Sequence, residues 1–108
     1  MTEIVTVEIL CPDTETATRI AGAALDRRLA ACANIGAGVT SHYTWQGMRE
    51  CASETPLFLK TRATLFRPLA ALARHLHPYD LPCILAHPAT MVTEDYRDWV
   101  LSETESGA

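Results

Sequence analysis

Thiol and imidazole groups are concentrated in residues 75–88, HLHPYDLPCILAHP, which contain His75, His77, Cys83 and His87. Soft and borderline metal ions prefer these side chains as ligands. His75 and His77 lie two positions apart on a predicted helix, so they cannot both point toward one site. His87 falls in a predicted strand, where a single imidazole is more often a hydrogen-bonded packing residue than a ligand. His77 and Cys83 are therefore the candidates for coordination in this stretch.

A third soft ligand is available at Cys11, which ends the first predicted strand. The first and last strands of the predicted sheet belong to one sheet, so their ends can bring Cys11 near Cys83. The cysteines at positions 11, 32, 51 and 83 form no Cys-x-x-Cys pair. Isolated cysteines are often buried as small apolar residues, so a purely structural role for Cys11 stays open.

Hydrophobic periodicity predicts the elements that would position these residues, with period-two alternation for strands and an i, i+3, i+4 stripe for helices. They are a strand at 3–11, a helix at 15–31, a strand within 32–47, a strand at 55–62, a helix at 63–77, a strand at 83–90 and a helix from 93. The polar residues 48–54 are predicted to be a hairpin connection. Residues from about 103 to 108 are predicted to be a loose tail.

This order of elements is typical of the α+β class. It corresponds to a ferredoxin-like split β-α-β unit (βαββαβ) with an antiparallel sheet and one extra C-terminal helix. With 108 residues, the chain is predicted to form a single domain over 1–108.

Composition narrows the classes of partner and compartment. A net charge of −4 and a pI near 5.4 argue against a nucleic-acid-binding protein, which usually presents a basic face. No run of 18 apolar residues is present, so we expect no membrane-spanning helix. The N-terminal residues MTEIVTVEIL lack the basic and apolar regions of a signal peptide. We therefore expect a cytoplasmic protein with free cysteines.

Three chemistries known for ferredoxin-like domains fit the sequence poorly. A copper chaperone would carry a Cys-x-x-Cys after the first strand, but Pro-Asp-Thr follows Cys11. A phosphatase would need glycine and arginine to hold an anion there, and LCPDTET contains neither. A nucleophilic Cys11 would need a neighbouring base. We expect a binding protein rather than an enzyme.

Six short motifs are spread over the chain between residues 29 and 99. They are LAACAN at 29–34, GVTS at 38–41, Tyr43 with Trp45-x-Gly47, KTR at 60–62, HPY at 77–79 and Tyr96-x-x-Trp99. Taken together and in this order, they resemble the CutA divalent-cation-tolerance proteins. The resemblance implies a ferredoxin-like subunit in a homotrimer that is related in architecture to the PII-like signalling proteins. It also implies binding of copper or other divalent ions, without an established enzymatic activity.

The resemblance further implies a metal site at the cysteine that ends the first strand, the histidine before Pro-Tyr and a glutamate after the next proline. Cys11 matches the first position, and Cys83 replaces the family's usual glutamate at the third. The histidine position falls at Leu76 or His77, depending on which family pattern is followed, and His77 is the nearer match to His-Pro-Tyr. Two thiols and an imidazole would favour Cu(I) or Zn²⁺ over Mg²⁺ or Mn²⁺. Loss of the carboxylate could equally mean that the site has decayed.

The sequence predicts two alternative functions. The first is a trimeric metal-binding protein in the response to metal ions, with copper as the expected ion and zinc not excluded. The second is a PII-like regulatory or interaction trimer that binds a small molecule or a partner protein in the clefts between subunits.

Overall fold

The computed structural model describes residues 4–106, which contain five strands and three α-helices. They are β1 (Ile4–Cys11), α1 (Thr14–Asp26), β2 (Cys32–Ile35), β3 (Val39–Trp45), β4 (Met48–Arg62), α2 (Phe66–Leu76), β5 (Ile84–Ala89) and α3 (Glu94–Glu103). A 3-10 turn at Ala63–Leu65 precedes α2. Residue 3 of the predicted first strand and residues 107–108 of the predicted tail lie outside the described residues.

The sheet has the strand order β2-β4-β1-β5, and each neighbouring pair is antiparallel. Val7 at its centre pairs with Leu59 of β4 and with Ala86 of β5. β3 pairs with the other half of β4, beyond the part that pairs with β2. This arrangement confirms the prediction of an α+β, ferredoxin-like fold with an antiparallel sheet.

The hydrophobic core lies between α1, α2 and one face of the sheet. Its fully buried side chains include Val7, Ile9, Leu57, Leu59, Ile20 and Leu69. The alanines of the α1 stripe, Ala17, Ala21 and Ala24, are also buried. Small side chains allow α1 to lie close to the sheet, and each large apolar side chain removed from water contributes about 1.5–3 kcal/mol to folding.

Helix α1 is shorter than the predicted helix at 15–31. Asp13 caps its N-terminus, since its Oδ1 accepts a hydrogen bond from the Thr16 N–H at 2.7 Å. The helix ends at Asp26 because Arg28 adopts a left-handed backbone conformation with φ of 56°. Contacts with the C-terminal segment hold Arg28 in place: its Nη2 donates to the Ser102 carbonyl, and its own carbonyl accepts from the Glu105 N–H.

The predicted polar connection at 48–54 is wrong, because these residues form the first half of β4. The connection consists of Gln46 and Gly47 alone, with φ of 51° and 81°. Positive φ at both positions gives the two-residue turn whose twist matches a hairpin. The continuous hairpin extends the molecule to 44 Å along its longest axis.

The stretch predicted as a loose tail is packed as far as Ser106. Thr104 is 3% exposed, and its Oγ1 donates to the Val100 carbonyl. The Arg62 guanidinium donates to the carbonyl oxygens of Leu101, Thr104 and Ser106. The carbonyl groups at the end of the helix supply the acceptors for this half-buried cation, and these bonds hold the C-terminal segment against β4.

Candidate functional site

A cavity of about 650 Å³ lies between the β3–β4 hairpin and the loop that joins α2 to β5. Its lining includes three aromatic rings, three carboxylates, the imidazole of His42 and one thiol. The side chains that matter chemically are Tyr43, Trp45, Glu54, Tyr79, Asp80 and Cys83. Such a mixture of apolar surface and a few converging polar groups is typical of a ligand site.

Glu54 owes its place in the cavity to the continuity of β4. It pairs with Val39 of β3, and its chain neighbour Thr55 already pairs with Cys11 of β1. Glu54 therefore sits where the hairpin joins the sheet, and it is only 8% exposed. Alternation along the strand places Glu50 on the same side, and Glu50 also lines the cavity. The hairpin thus delivers two carboxylates to one wall.

The negative charge of this wall perturbs its neighbours. Burial raises the pKa of the Tyr79 phenol, and the charge of Glu54 raises it further. Burial also raises the pKa of the Cys83 thiol, with the carboxylates of Glu8 and Glu54 adding to the effect and a backbone hydrogen bond from Leu10 opposing it. Cys83 is therefore a protonated thiol at neutral pH, and a metal ion could bind it only by displacing the proton.

Cys11 lies in the hydrophobic core and is fully buried. Burial, followed by the charges of Asp13 and Glu54, raises the pKa of its thiol to about 11. A neutral thiol surrounded by apolar side chains behaves as a small hydrophobic residue.

The two predicted thiol ligands lie on opposite faces of the sheet. The Leu10 N–H donates to the Cys83 carbonyl at 3.3 Å, and both residues line the cavity. Because successive side chains of a strand point to opposite faces, Cys11 points to the helix side instead. The structure brings the two backbones together, as predicted, but Cys11 belongs to the hydrophobic core and Cys83 to the cavity lining.

His77 is 6% exposed, and both of its ring nitrogens are engaged by the backbone. Nε2 donates to the Leu10 carbonyl at 2.8 Å, and Nδ1 accepts from the Tyr79 N–H at 3.2 Å. The two contacts fix the neutral Nε2–H tautomer. The ring also meets Tyr79 edge-on, with centroids 4.7 Å apart. In this arrangement His77 ties the loop that carries Tyr79 and Cys83 to β1.

Within residues 4–106, no three or more His, Cys, Asp or Glu side chains are grouped closely enough to hold a metal ion. The joint ligand set of Cys11, His77 and Cys83 therefore stays a prediction. It would require these side chains to move closer together. His87, which the sequence did not favour as a ligand, contacts Glu8 through its Nε2 at 2.9 Å.

The sequence did not predict Glu54 as a residue of the site. The spacing of Glu50 and Glu54 places them on the same side only if 48–54 is a strand.

Comparison with known proteins agrees with this fold. The family described as CutA1 divalent ion tolerance protein matches residues 5–103. A divalent-cation tolerance protein CutA of Thermus thermophilus is 39% identical over 104 residues, which cover 96% of this chain and 99% of that protein. Protein CutA of Mus musculus is 37% identical over 98 residues, which cover 91% of this chain. The chain spans only 55% of the length of the mouse protein.

Solved structures agree with the sequence comparison. The divalent cation tolerance protein (Cut A1) of Thermus thermophilus superimposes with a TM-score of 0.89 at 40% identity, covering 97% of this chain and all of that one. The periplasmic divalent cation tolerance protein CutA of Archaeoglobus fulgidus gives a TM-score of 0.90 at 33% identity, covering 97% and 100%. With a match across almost its whole length, the chain belongs to the CutA1 divalent ion tolerance family.

Proposed function

We propose that this protein supports tolerance of divalent cations by binding a soft metal ion, copper in the first place, in the cavity that contains Cys83 and Glu54. Membership of the CutA1 divalent ion tolerance family supports the general function. The proposed location of the metal site rests on one observation: the nearly buried Glu54 carboxylate lines the same cavity as the Cys83 thiol. A thiolate selects copper or zinc over magnesium, and the carboxylate offsets the positive charge of the ion.

The protein is proposed to bind its ion without catalysing a reaction. Nucleophilic catalysis by cysteine requires a thiolate at working pH. The pKa of Cys11 near 11 and the raised pKa of Cys83 both favour the unreactive thiol form. These properties favour a binding protein over an enzyme.

A homotrimer would complete the coordination. Two side chains of one chain fill only part of a zinc or copper shell, and neighbouring copies could supply the rest. The chain leaves large apolar side chains exposed, among them Trp45, Met48, Leu81 and Leu85. Assembly would cover part of this surface. Light scattering on the purified protein at micromolar concentration is expected to give three times the mass of one chain.

The metal proposal is tested by anaerobic titration of the full-length protein with Cu(I) against a chromogenic chelator. Cys83→Ser and Glu54→Gln are expected to weaken binding at the cavity, the first by at least ~10-fold because it removes a ligand. Cys32→Ser is the matched control, since Cys32 is half-buried and outside the cavity. Equal Cu(I) affinity in the Cys83→Ser and Cys32→Ser proteins would contradict the proposal.

A second candidate is a PII-like regulatory trimer that binds an organic ligand or a partner protein. The cavity volume of about 650 Å³ lies in the range of small-molecule sites, and Tyr43, Trp45 and Tyr79 offer stacking surfaces. The acidic wall would favour a cationic ligand. A thermal-shift screen of cationic metabolites, with Trp45→Ala as the control, tests this candidate. Stabilisation by metal ions alone would count against it.

The cytoplasm is the proposed compartment. The four cysteines are free thiols, which suits a reducing environment. Among residues 4–106, no helix is both long and apolar enough to cross a membrane. Cell fractionation with an antibody to the natural protein would test the location.

A further inference from the structure

His42 and Cys51 form a contact on the hairpin. His42 also lines the cavity, whereas Cys51 does not. They face each other directly across β3 and β4, and the His42 Nε2 lies 3.9 Å from the Cys51 Sγ. Both side chains are exposed. The sequence did not predict this pair, because Cys51 lies in the stretch that was predicted to be a hairpin connection.

We propose that His42 and Cys51 form a second binding site for Cu(I), built on a thiol that lies outside the cavity. The donor set is one imidazole nitrogen and one thiolate sulfur, both preferred by this ion. With metal–nitrogen and metal–sulfur distances of about 2.05 and 2.3 Å, as known for zinc, the observed 3.9 Å separation corresponds to an N–metal–S angle of about 125°. An ion could therefore bridge the two atoms with little movement of either strand.

The number of ligands favours Cu(I) over Zn²⁺. Structural zinc sites have four protein ligands, whereas Cu(I) is stable with two or three. No third His, Cys, Asp or Glu side chain of residues 4–106 completes a metal-binding group with this pair. The third position would be open to a small thiol or to a water molecule. Such an open site can accept an ion from a carrier and release it again.

Binding of one Cu(I) ion releases one proton. The Cys51 thiol releases its proton to the solvent, and the sulfur–copper bond replaces the sulfur–hydrogen bond. The neutral His42 imidazole donates the lone pair of Nε2 and carries its proton on Nδ1. Copper enters and remains as Cu(I), so no oxidant or reductant is consumed.

The pair is positioned by the strands rather than by its own contact. The Gln46-Gly47 turn and the surrounding ladder, in which Tyr43 pairs with Glu50 and Ser41 with Ala52, already fix the register. Directly opposed residues have Cβ atoms about 4.5–5.5 Å apart. The hairpin therefore presents both ligands before an ion arrives, which reduces the ordering cost of binding.

The test uses full-length protein that carries Cys83→Ser, so that the proposed cavity site does not contribute. Cu(I) affinity is measured without oxygen by competition with a chromogenic chelator, in this background and in the background plus His42→Gln, Cys51→Ser or His75→Gln. His75 is the matched control, because it is an exposed histidine near the end of α2 with no cysteine contact among the described residues. Thermal melting checks that each variant is folded.

We expect His42→Gln and Cys51→Ser each to weaken Cu(I) binding at least ~10-fold, as for loss of one of two ligands, and His75→Gln to have no effect. X-ray absorption of the loaded background protein should show sulfur and nitrogen neighbours. Equal affinity in the His42→Gln and His75→Gln proteins would overturn the inference, since the thiol would then bind alone. The cavity proposal would not be affected by that result.

Discussion

The imidazole of His77 donates a hydrogen bond of 2.8 Å to the carbonyl oxygen of Leu10. This bond joins the loop after α2 to the end of the central strand β1. Leu10 in turn shares the cavity with Tyr79 and Cys83. The histidine is therefore a positioning residue.

His77→Ala should destabilise the fold by about 2 kcal/mol, because the Leu10 carbonyl and the Tyr79 N–H both lose their partner. Urea unfolding measures this change. His75→Ala, an exposed control near the end of α2, should stay within about 0.5 kcal/mol of the parent. If His77→Ala were as stable as the control and yet lost bound metal, His77 would be a ligand instead.

Cys11 should make the protein less stable at alkaline pH. Its pKa is raised from 9.0 to about 11 on folding, so the folded state holds the proton more tightly. The corresponding stabilisation is complete below pH 9 and declines as pH rises toward 11, by about 2–3 kcal/mol in total. The measurement is urea unfolding at a series of pH values.

The variant that isolates this effect is Cys11→Ala. It should have a lower stability at pH 8 because of the cavity, but a smaller loss between pH 9 and 11 than the parent. Cys51→Ala at the exposed hairpin serves as the control for a removed thiol. Parallel pH profiles for the parent and Cys11→Ala would contradict the assignment.

Metal binding at Cys83 should strengthen with rising pH. Its thiol pKa is raised by burial and by Glu8 and Glu54, so near neutrality each bound ion must displace a proton. The apparent affinity should increase about tenfold per pH unit until the thiol ionises freely. Isothermal titration in buffers of different protonation enthalpy counts the released protons. A pH-independent affinity, or one unchanged by Cys83→Ser, would argue against thiolate coordination.

Arg62→Ala should release the C-terminal segment. The guanidinium is bonded to the Leu101, Thr104 and Ser106 carbonyls and to the Thr104 hydroxyl, so its removal should cost about 2 kcal/mol. Hydrogen exchange should accelerate first at the end of α3. Arg67→Ala, exposed at the start of α2, is the control. Unchanged exchange at 100–106 would show that the tail is held by other contacts.

The fold was predictable because most elements bury one face. Alternating residues in β1 and the alanine-rich stripe of α1 have an unambiguous period. The strand at residues 48–54 was not predicted, because both faces of the hairpin are largely exposed in one chain. Its sequence therefore lacks the alternation of apolar and polar residues that indicates a strand. The end of α1 was missed because a contact far along the sequence, between Arg28 and Ser102, stabilises the left-handed conformation.

For the candidate site, the sequence predicted which backbone segments meet but not which way their side chains point. The ends of the first and last strands do meet, as the Leu10–Cys83 hydrogen bond shows. Which face each thiol occupies depends on register, and a change of one residue reverses it. The burial of Cys11 and the two backbone contacts of His77 follow from that register and from the loop geometry, which sequence spacing does not specify.

The 15-residue strand β4 has a consequence for how the protein would open. One unbroken segment carries the cavity wall at Glu54, the central pairing with β1 and, at Arg62, the attachment of the C-terminus. Regions that share such a backbone tend to unfold as one cooperative unit. The cavity should therefore survive until global unfolding, and native-state exchange of the Glu54 amide should report the full stability of the sheet.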